Sequence, residues 1–198
     1  IAAAQGNILA FTDADCTPAP EWIEEGVRAV VDTEASFAAG RIQMTFRDEE
    51  PGIWEYFDAA GKLDQQSYVE EAGFGATANL FVRRTMFEKY GLFRSDLRSG
   101  GDYEFGRRLT GAGEKLVYAP DALVYHAARA SLQAKLAKSR RIAQGQKRLQ
   151  ELGLLEHNVL SWQRLIPNRR CPSLDGISLS LPRRAILTII ANLFKYYN

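Results

Sequence analysis

Asp13 and Asp15 stand at alternate positions just after the apolar run Ile8-Leu9-Ala10-Phe11, and Cys16-Thr17-Pro18 follows them. Alternate residues of an extended chain point the same way, so both carboxylates can face one point where a strand stops. Two hard oxygen ligands there suit Mg2+ or Mn2+, ions held through one or two carboxylates together with substrate phosphates. An Asp-rich turn explains the same residues without any chemistry, and the rest of the chain decides between the two.

Three later groups carry residue types that work with such a site. Gly73-Phe74-Gly75-Ala76 leads into a strand, Gly100-Gly101-Asp102-Tyr103-Glu104 opens a helix, and His126 closes a strand. A carboxylate at a helix N-terminus is favoured by the helix dipole and often serves only as a cap. A neutral imidazole is among the commonest metal ligands, yet a lone histidine is more often simply packed. Each group is weak alone.

The elements that must hold these residues follow from periodicity. Pro20 to Val31 carries Trp22, Ile23, Val27, Val30 and Val31 at helical spacing, with Pro20 suited to a first turn. Phe37 to Phe46 alternates as a strand, and Arg47 to Gly52 forms a polar loop. A long helix is expected from about Ile53 toward Glu71, a strand over Ala76–Arg83, and a short helix over Thr85–Tyr90 stopped by Gly91. A helix of about ten residues starts at Asp102. Leu116–Tyr118 and Ala122–His126 read as two short strands around an Ala119-Pro120-Asp121 turn. Beyond Arg129 the pattern is helical to about Leu152, with a basic face at Lys135, Lys138, Arg140, Arg141, Lys147 and Arg148. Alternating strands and helices imply a layered α/β domain, residues 1–128, followed by a basic and mainly helical extension, residues 129–198. Trp54, Tyr56, Phe57, Tyr68 and Phe74 could stack on a sugar, although their spacing in a long helix favours a core.

Composition narrows the classes further. The 198 residues are 46% hydrophobic and 25% charged, ordinary for a soluble domain. Cys16 and Cys171 form neither a disulfide framework nor a metal cluster by spacing, and a reducing compartment is the default. The net charge of +1 hides a division: residues 1–128 hold 12 basic and 21 acidic residues, residues 129–198 hold 13 and 3. That asymmetry calls for an anionic partner such as a membrane surface, a nucleic acid or a diphosphate, or for no partner beyond water. Ala185–Phe194 is nearly all apolar but shorter than the roughly 20 residues that span a bilayer, so it reads as an interfacial or a packed terminal helix.

Taken in order, Asp13-Ala14-Asp15, Gly73-Phe74-Gly75-Ala76, Gly101-Asp102 and His126 resemble the motifs of a family-2 glycosyltransferase of the GT-A fold. The phrases Ala4-Gln5-Gly6-Asn7-Ile8-Leu9-Ala10-Phe11, Asn79-Leu80-Phe81-Val82-Arg83-Arg84 and Phe87-Glu88-Lys89-Tyr90-Gly91-Leu92-Phe93 fit as well, over about residues 1–130. The resemblance implies a Rossmann-like mixed sheet flanked by helices and an inverting, Mn2+- or Mg2+-dependent transfer. A sugar would pass from a nucleotide-diphosphate sugar to a hydroxyl of a glycan, lipid or polysaccharide precursor. It implies Asp13, Asp15 and His126 around the metal, Asp13 and Asp15 reaching the donor diphosphate through it, and Asp102 as the general base. Gly75, Ala76, Gly101 and Tyr103 would line the acceptor. It further implies a cytoplasmic protein of cell-envelope polysaccharide synthesis, peripheral at the inner face of the plasma membrane, with no nucleic acid partner.

Two departures qualify it. The family's acidic pair stands here as Gly101-Asp102, leaving Glu104 as the one nearby acid that could compensate, and Gln144 and Arg148 do not form the QxxRW pattern of processive synthases. The family's nucleotide-binding strands precede its DxD strand, so the front of the fold is expected to be missing and the 198 residues alone to transfer no sugar. Asp13-Ala14-Asp15-Cys16-Thr17 also fits the DxDxT motif of haloacid-dehalogenase-type phosphohydrolases, with Asp13 as nucleophile and Asp15 as acid/base. A non-catalytic membrane-docking module is the remaining alternative.

Overall fold

Alternation along three strands divides the first unit's core between the two faces of one sheet. The computed structural model describes residues 1–61, 63–155, 171–174, 177 and 179–197. Two compact units are present, one formed by Ile1–Thr45 and Leu63–Ala127, the other by Phe46–Lys62 and Ala128–Asn198. In the first unit β1 (Ile8–Thr12), β2 (Cys16–Pro18), β3 (Phe37–Thr45), β4 (Asn79–Arg83) and β5 (Leu116–Ala127) form a mixed sheet in the order β1-β4-β3-β5-β2. Only β3 and β5 run parallel.

Successive strand residues face opposite sides. Phe37, Ala39, Leu80 and Val82 therefore join Leu9 on one face, beneath Met86 and Phe87 of α4 (Arg84–Tyr90) and Phe105 and Leu109 of α5 (Gly101–Gly111). Ala38 and Phe81 join Val124 on the other, beneath Trp22 and Val30 of α1 (Trp22–Asp32). Burying each such large side chain contributes about 1.5–3 kcal/mol. Gly26 lets α1 approach this closely, since a Cβ there would lie 2.0 Å from the Phe81 ring.

The segment expected as two short strands is a single one. Gly40 pairs with Ala119 and Arg41 with Leu123, so three residues of β5 bulge out of register. Pro120 has no N–H to give a ladder, which favours that site for the bulge. Asn79, fully buried, ties the irregularity down: its Nδ2 donates to the carbonyls of Arg41 and Ala122, both at 2.8 Å, and its Oδ1 accepts from Trp22 Nε1 at 2.8 Å. Gly40 is required beside it, because a Cβ would lie 2.4 Å from both the Ala122 oxygen and the Asn79 amide.

The long helix expected from Ile53 toward Glu71 is broken. α2 (Ile53–Ala60) stops at Gly61, a poor helix residue. Asp64 then caps a new turn, α3 (Gln65–Ser67), by accepting from the Ser67 amide at 3.3 Å. A π-helical turn over Tyr68–Ala72 follows and ends at Gly73, whose φ of 67° is left-handed.

In the second unit Tyr56 and Phe57 of α2 pack with Leu136 of α6 (Leu132–Glu151) and with Leu187, Ile190 and Phe194 of α7 (Leu181–Tyr197). Trp54, Tyr56 and Phe57 are thus core residues. Lys135 and Lys138, expected on a basic surface, turn inward to Asp58 at 2.8 and 3.2 Å. Along α7, Leu187 and Phe194 are buried while Leu181, Ile186, Ile189 and Leu193 are exposed. Among the described residues no helix is long and apolar enough to cross a membrane. Part of the expected extension, residues 156–170, lies outside the described residues.

Candidate functional site

The two aspartates sit in a turn after the strand, the alternative their types allowed, and not in an extended chain that aims both carboxylates at one point. β1 ends at Thr12, the Cys16 amide donates to the Asp13 carbonyl at 3.0 Å, and the chain returns as β2. In β2 Cys16 pairs with His126 of β5, which brings Asp15 beside the imidazole. Asp15 Oδ1 lies 3.9 Å from His126 Nε2, with the carboxylate 61% exposed and the imidazole 3%. One ligand atom each from Asp15, Cys16 and His126 lie within 4.8 Å of one another; Asp13 is outside this group.

The tautomer of His126 follows from its second nitrogen. Nδ1 lies 2.9 Å from the Ala127 carbonyl oxygen, which can only accept, so Nδ1 carries the proton and donates. In the neutral ring Nε2 then carries the lone pair, 3.9 Å from Asp15 Oδ1. This is the arrangement in which a backbone carbonyl orients a metal-binding histidine. Two ligand atoms each about 2.1 Å from one ion are at most about 4.2 Å apart, so Asp15 and His126 can share a divalent cation. Burial pushes the Cys16 thiol above its ordinary range, and the charges of Asp13 and Asp15 add to this against opposing hydrogen bonds from Thr12 and Asp13. Cys16 Sγ is the third possible donor of the group, beside one oxygen and one nitrogen that suit a hard or borderline ion.

Asp102 is the second residue of α5, entered through Gly100 at φ 82°. Its Oδ1 accepts from the Tyr103 amide at 2.9 Å. Burial raises its carboxyl above the ordinary range; the amides of Tyr103, Asp102 and Thr77 work against this, and the charge of Asp13 adds to it. Asp13 therefore acts on Asp102, whereas Asp15 is the partner of His126.

Around Asp102 the remaining expected residues have distinct settings. Gly75 and Ala76 are buried. A Cβ on Gly75 would lie 2.6 Å from that of Ala39, so packing against β3 accounts for this glycine. Gly101 and Tyr103 are half-buried, and nothing lies within 4 Å of a Cβ built on Gly101. Tyr103 meets Phe74 edge-on at 5.2 Å, and Phe74 stacks on Tyr68 at 4.8 Å. Burial raises the Tyr68 phenol, with Asp64 and Asp102 adding to the shift. Tyr68 and Phe74 thus stay near Asp102, apart from the three core aromatics.

Glu104 does not replace the acid absent at Gly101. It is buried, and its two oxygens accept from Arg108 Nε at 2.9 Å and Nη2 at 3.0 Å. Arg108 in turn donates to the carbonyls of Tyr90 and Leu92. Sequence reading missed Gln65, which is buried and fixes the glycine-rich loop: its Nε2 donates to the carbonyls of Ala76 and Asn79, and its Oε1 accepts from the Ala76 amide at 2.8 Å. The one available signal was a polar residue just after the Gly61 break.

Residues 1–91 match the family described as Glycosyl transferase family 2. Over 141 residues, 71% of the chain, the sequence is 33% identical to "Glycosyltransferase AglE" of Haloferax volcanii, covering 46% of that protein. Over 143 residues, 70% of the chain, it is 28% identical to "Pre-mycofactocin glycosyltransferase" of Mycobacterium tuberculosis, covering 30% of that protein. The chain thus spans less than half the length of these curated relatives. In fold it resembles the mannosyltransferase PcManGT from Pyrobaculum calidifontis, solved in complex with GDP-Man and Mn2+. That likeness covers 98% of the chain and 46% of the neighbour, with a TM-score of 0.53 at 15% identity.

Proposed function

Because the chain belongs to glycosyl transferase family 2, we propose that it carries the catalytic corner of an inverting transferase that moves a sugar from a nucleotide-diphosphate sugar to an acceptor hydroxyl. The observation that carries this reading is the meeting of Asp15 Oδ1 and His126 Nε2 at 3.9 Å. Asp102, a carboxyl with a raised pKa at a helix start, accompanies it in the same unit.

Asp15 and His126 would hold Mn2+ or Mg2+, and the donor diphosphate would be reached through that ion, with Asp13 adding negative charge nearby. Such an ion, when bound, supplies positive charge that stabilises the departing nucleoside diphosphate. Asp102 takes the proton of the acceptor hydroxyl. Its raised pKa makes it a stronger base than an ordinary carboxylate, and its bond to the Tyr103 amide fixes its position. As the hydroxyl oxygen bonds to the anomeric carbon, the bond from that carbon to the diphosphate oxygen breaks on the opposite face. One displacement of this kind inverts the centre. Gly101 and Tyr103, half-buried beside Asp102, would line the acceptor side, with Tyr68 and Phe74 extending it as aromatic surface, while Gly75 and Ala76 lie buried and shape the loop.

No observation specific to the phosphohydrolase reading of Asp13–Thr17 favours it. The two separate experimentally on the whole protein: metal-dependent release of nucleoside diphosphate from a sugar nucleotide supports transfer. Phosphate release from simple phosphomonoesters, without turnover of sugar nucleotides, would overturn it.

A further inference from the structure

The second unit encloses one carboxylate in three cations. The Asp58 side chain is fully buried. Its Oδ1 accepts from Lys135 Nζ at 2.8 Å and Lys138 Nζ at 3.2 Å, and its Oδ2 from the Arg129 amide at 3.1 Å and Arg129 Nη1 at 3.3 Å. A carboxylate has about four lone-pair sites, so these four donors saturate it. The cations are not saturated in return. Each ammonium has three N–H groups and the guanidinium five, and Asp58 takes one from each side chain. Lys135 additionally lies 4.9 Å above the Phe57 ring. Among the described residues no second carboxylate pairs with any of the three.

Two positive charges therefore stand in excess at a place where water screens them poorly. The side chains of Arg129, Lys135 and Lys138 are 24%, 11% and 17% exposed. Burial depresses the Lys138 ammonium, and the charges of Arg129 and Lys135 press the same way against the pull of Asp58. Ion pairing alone would need one cation for one carboxylate, so structural stapling explains the first of these cations and leaves two over.

We propose that Arg129, Lys135 and Lys138 form a binding site for a phosphate-class oxyanion, with Asp58 as the buried anchor that holds the three heads together. A phosphate monoester carries about −1.5 to −2 charges near neutrality, which matches the excess. The guanidinium fork offers paired N–H groups to two phosphate oxygens, and the ammonium groups serve as point charges beside it. The same chemistry is presented by a soluble diphosphate and by a phospholipid headgroup. No metal ion and no part of the Asp15–His126 site is involved, so this inference stands or falls separately from the transferase reading.

The test is calorimetric titration of the chain with inorganic pyrophosphate at low ionic strength in EDTA, repeated on Arg129→Gln/Lys138→Gln and on Lys138→Arg. The site predicts binding that weakens at least about tenfold in the double variant, stays within about twofold in Lys138→Arg, and is unchanged in Arg28→Gln, an exposed cation of α1 outside both sites. Circular dichroism separates a folding defect from lost binding, and Lys138→Gln alone, giving an intermediate loss, serves if the double variant unfolds. Cosedimentation with phosphatidic acid–phosphatidylcholine vesicles distinguishes the sources. Vesicle binding that pyrophosphate displaces and the double variant loses identifies a headgroup, whereas pyrophosphate binding without vesicle binding identifies a soluble ligand. No binding of either probe by the folded wild-type chain overturns the proposal, as does equal binding by the double variant.

Discussion

His126 Nε2 lies 3.9 Å from Asp15 Oδ1 because β2 pairs Cys16 directly with His126. The ring's other nitrogen is held by the Ala127 carbonyl, so Nε2 is the nitrogen left with a lone pair for a cation. The chain is therefore expected to bind Mn2+, measurable by electron paramagnetic resonance. Asp15→Asn and His126→Ala should each weaken that binding by at least about tenfold. Cys16→Ser should leave it nearly unchanged, and a larger loss there would make the thiol a ligand.

Asp102 is costly to the fold in its ionised form. Burial raises its carboxyl above the ordinary value of 3.8, so the folded state holds the proton more tightly than the unfolded one. Stability from this group is present at low pH and is lost as pH rises through the folded pKa. Asp102→Asn should accordingly raise the melting temperature at pH 7, with the gain shrinking on acidification. A variant that melts lower at pH 7 would make Asp102 a structural cap.

Asp58 has the opposite sign. Burial opposes its ionisation, but the hydrogen bond from Lys135, the charges of Lys138 and Lys135 and the Arg129 amide hold its carboxyl well below the ordinary 3.8. Its contribution is present above the ordinary carboxylate range and is lost as pH falls through the folded value. Asp58→Ala leaves buried cations without their anchor and should cost about 3–5 kcal/mol in urea unfolding at pH 7, less at acid pH. A loss below 1 kcal/mol would mean that water replaces the carboxylate there.

Asn79 joins α1 to the bulge of β5 through three hydrogen bonds. Asn79→Ala strands the Trp22 indole N–H and two carbonyls, and should cost about 3 kcal/mol by chemical denaturation. Trp22 fluorescence offers a local readout of the same change. Gly40→Ala should be of similar size, since its Cβ would meet backbone at 2.4 Å.

Much of this was legible in the chain. Period-two alternation located β3, a short apolar run after the glycine-rich break located β4, and helical spacing located α1 and α5, because those patterns report burial by nearby residues. Asp13, Asp15, Asp102 and His126 stood out by type and by position at element ends. What escaped depends on pairing across distance. The Asp13–Cys16 turn and the register jump at Pro120 arise from strand partners far along the chain. The inward turn of Lys135 and Lys138 requires knowing that Asp58 lies beneath them, and although Glu104 and Arg108 pair locally at i,i+4, the onward bonds of Arg108 to the Tyr90 and Leu92 carbonyls are invisible until α4 and α5 are packed. The break at Gly61 was the exception, since the glycine and the following Asp64 cap were both in view.

The most direct test of the central claim measures sugar transfer and Mn2+-dependent donor binding together, on the whole protein and on its Asp102→Asn variant. The account predicts that transfer falls at least about a hundredfold, as loss of a general base entails, while donor affinity stays within about twofold. Transfer retained by the variant, or donor binding lost in parallel with it, would contradict the assignment of Asp102 as the base in a site built on Asp15 and His126.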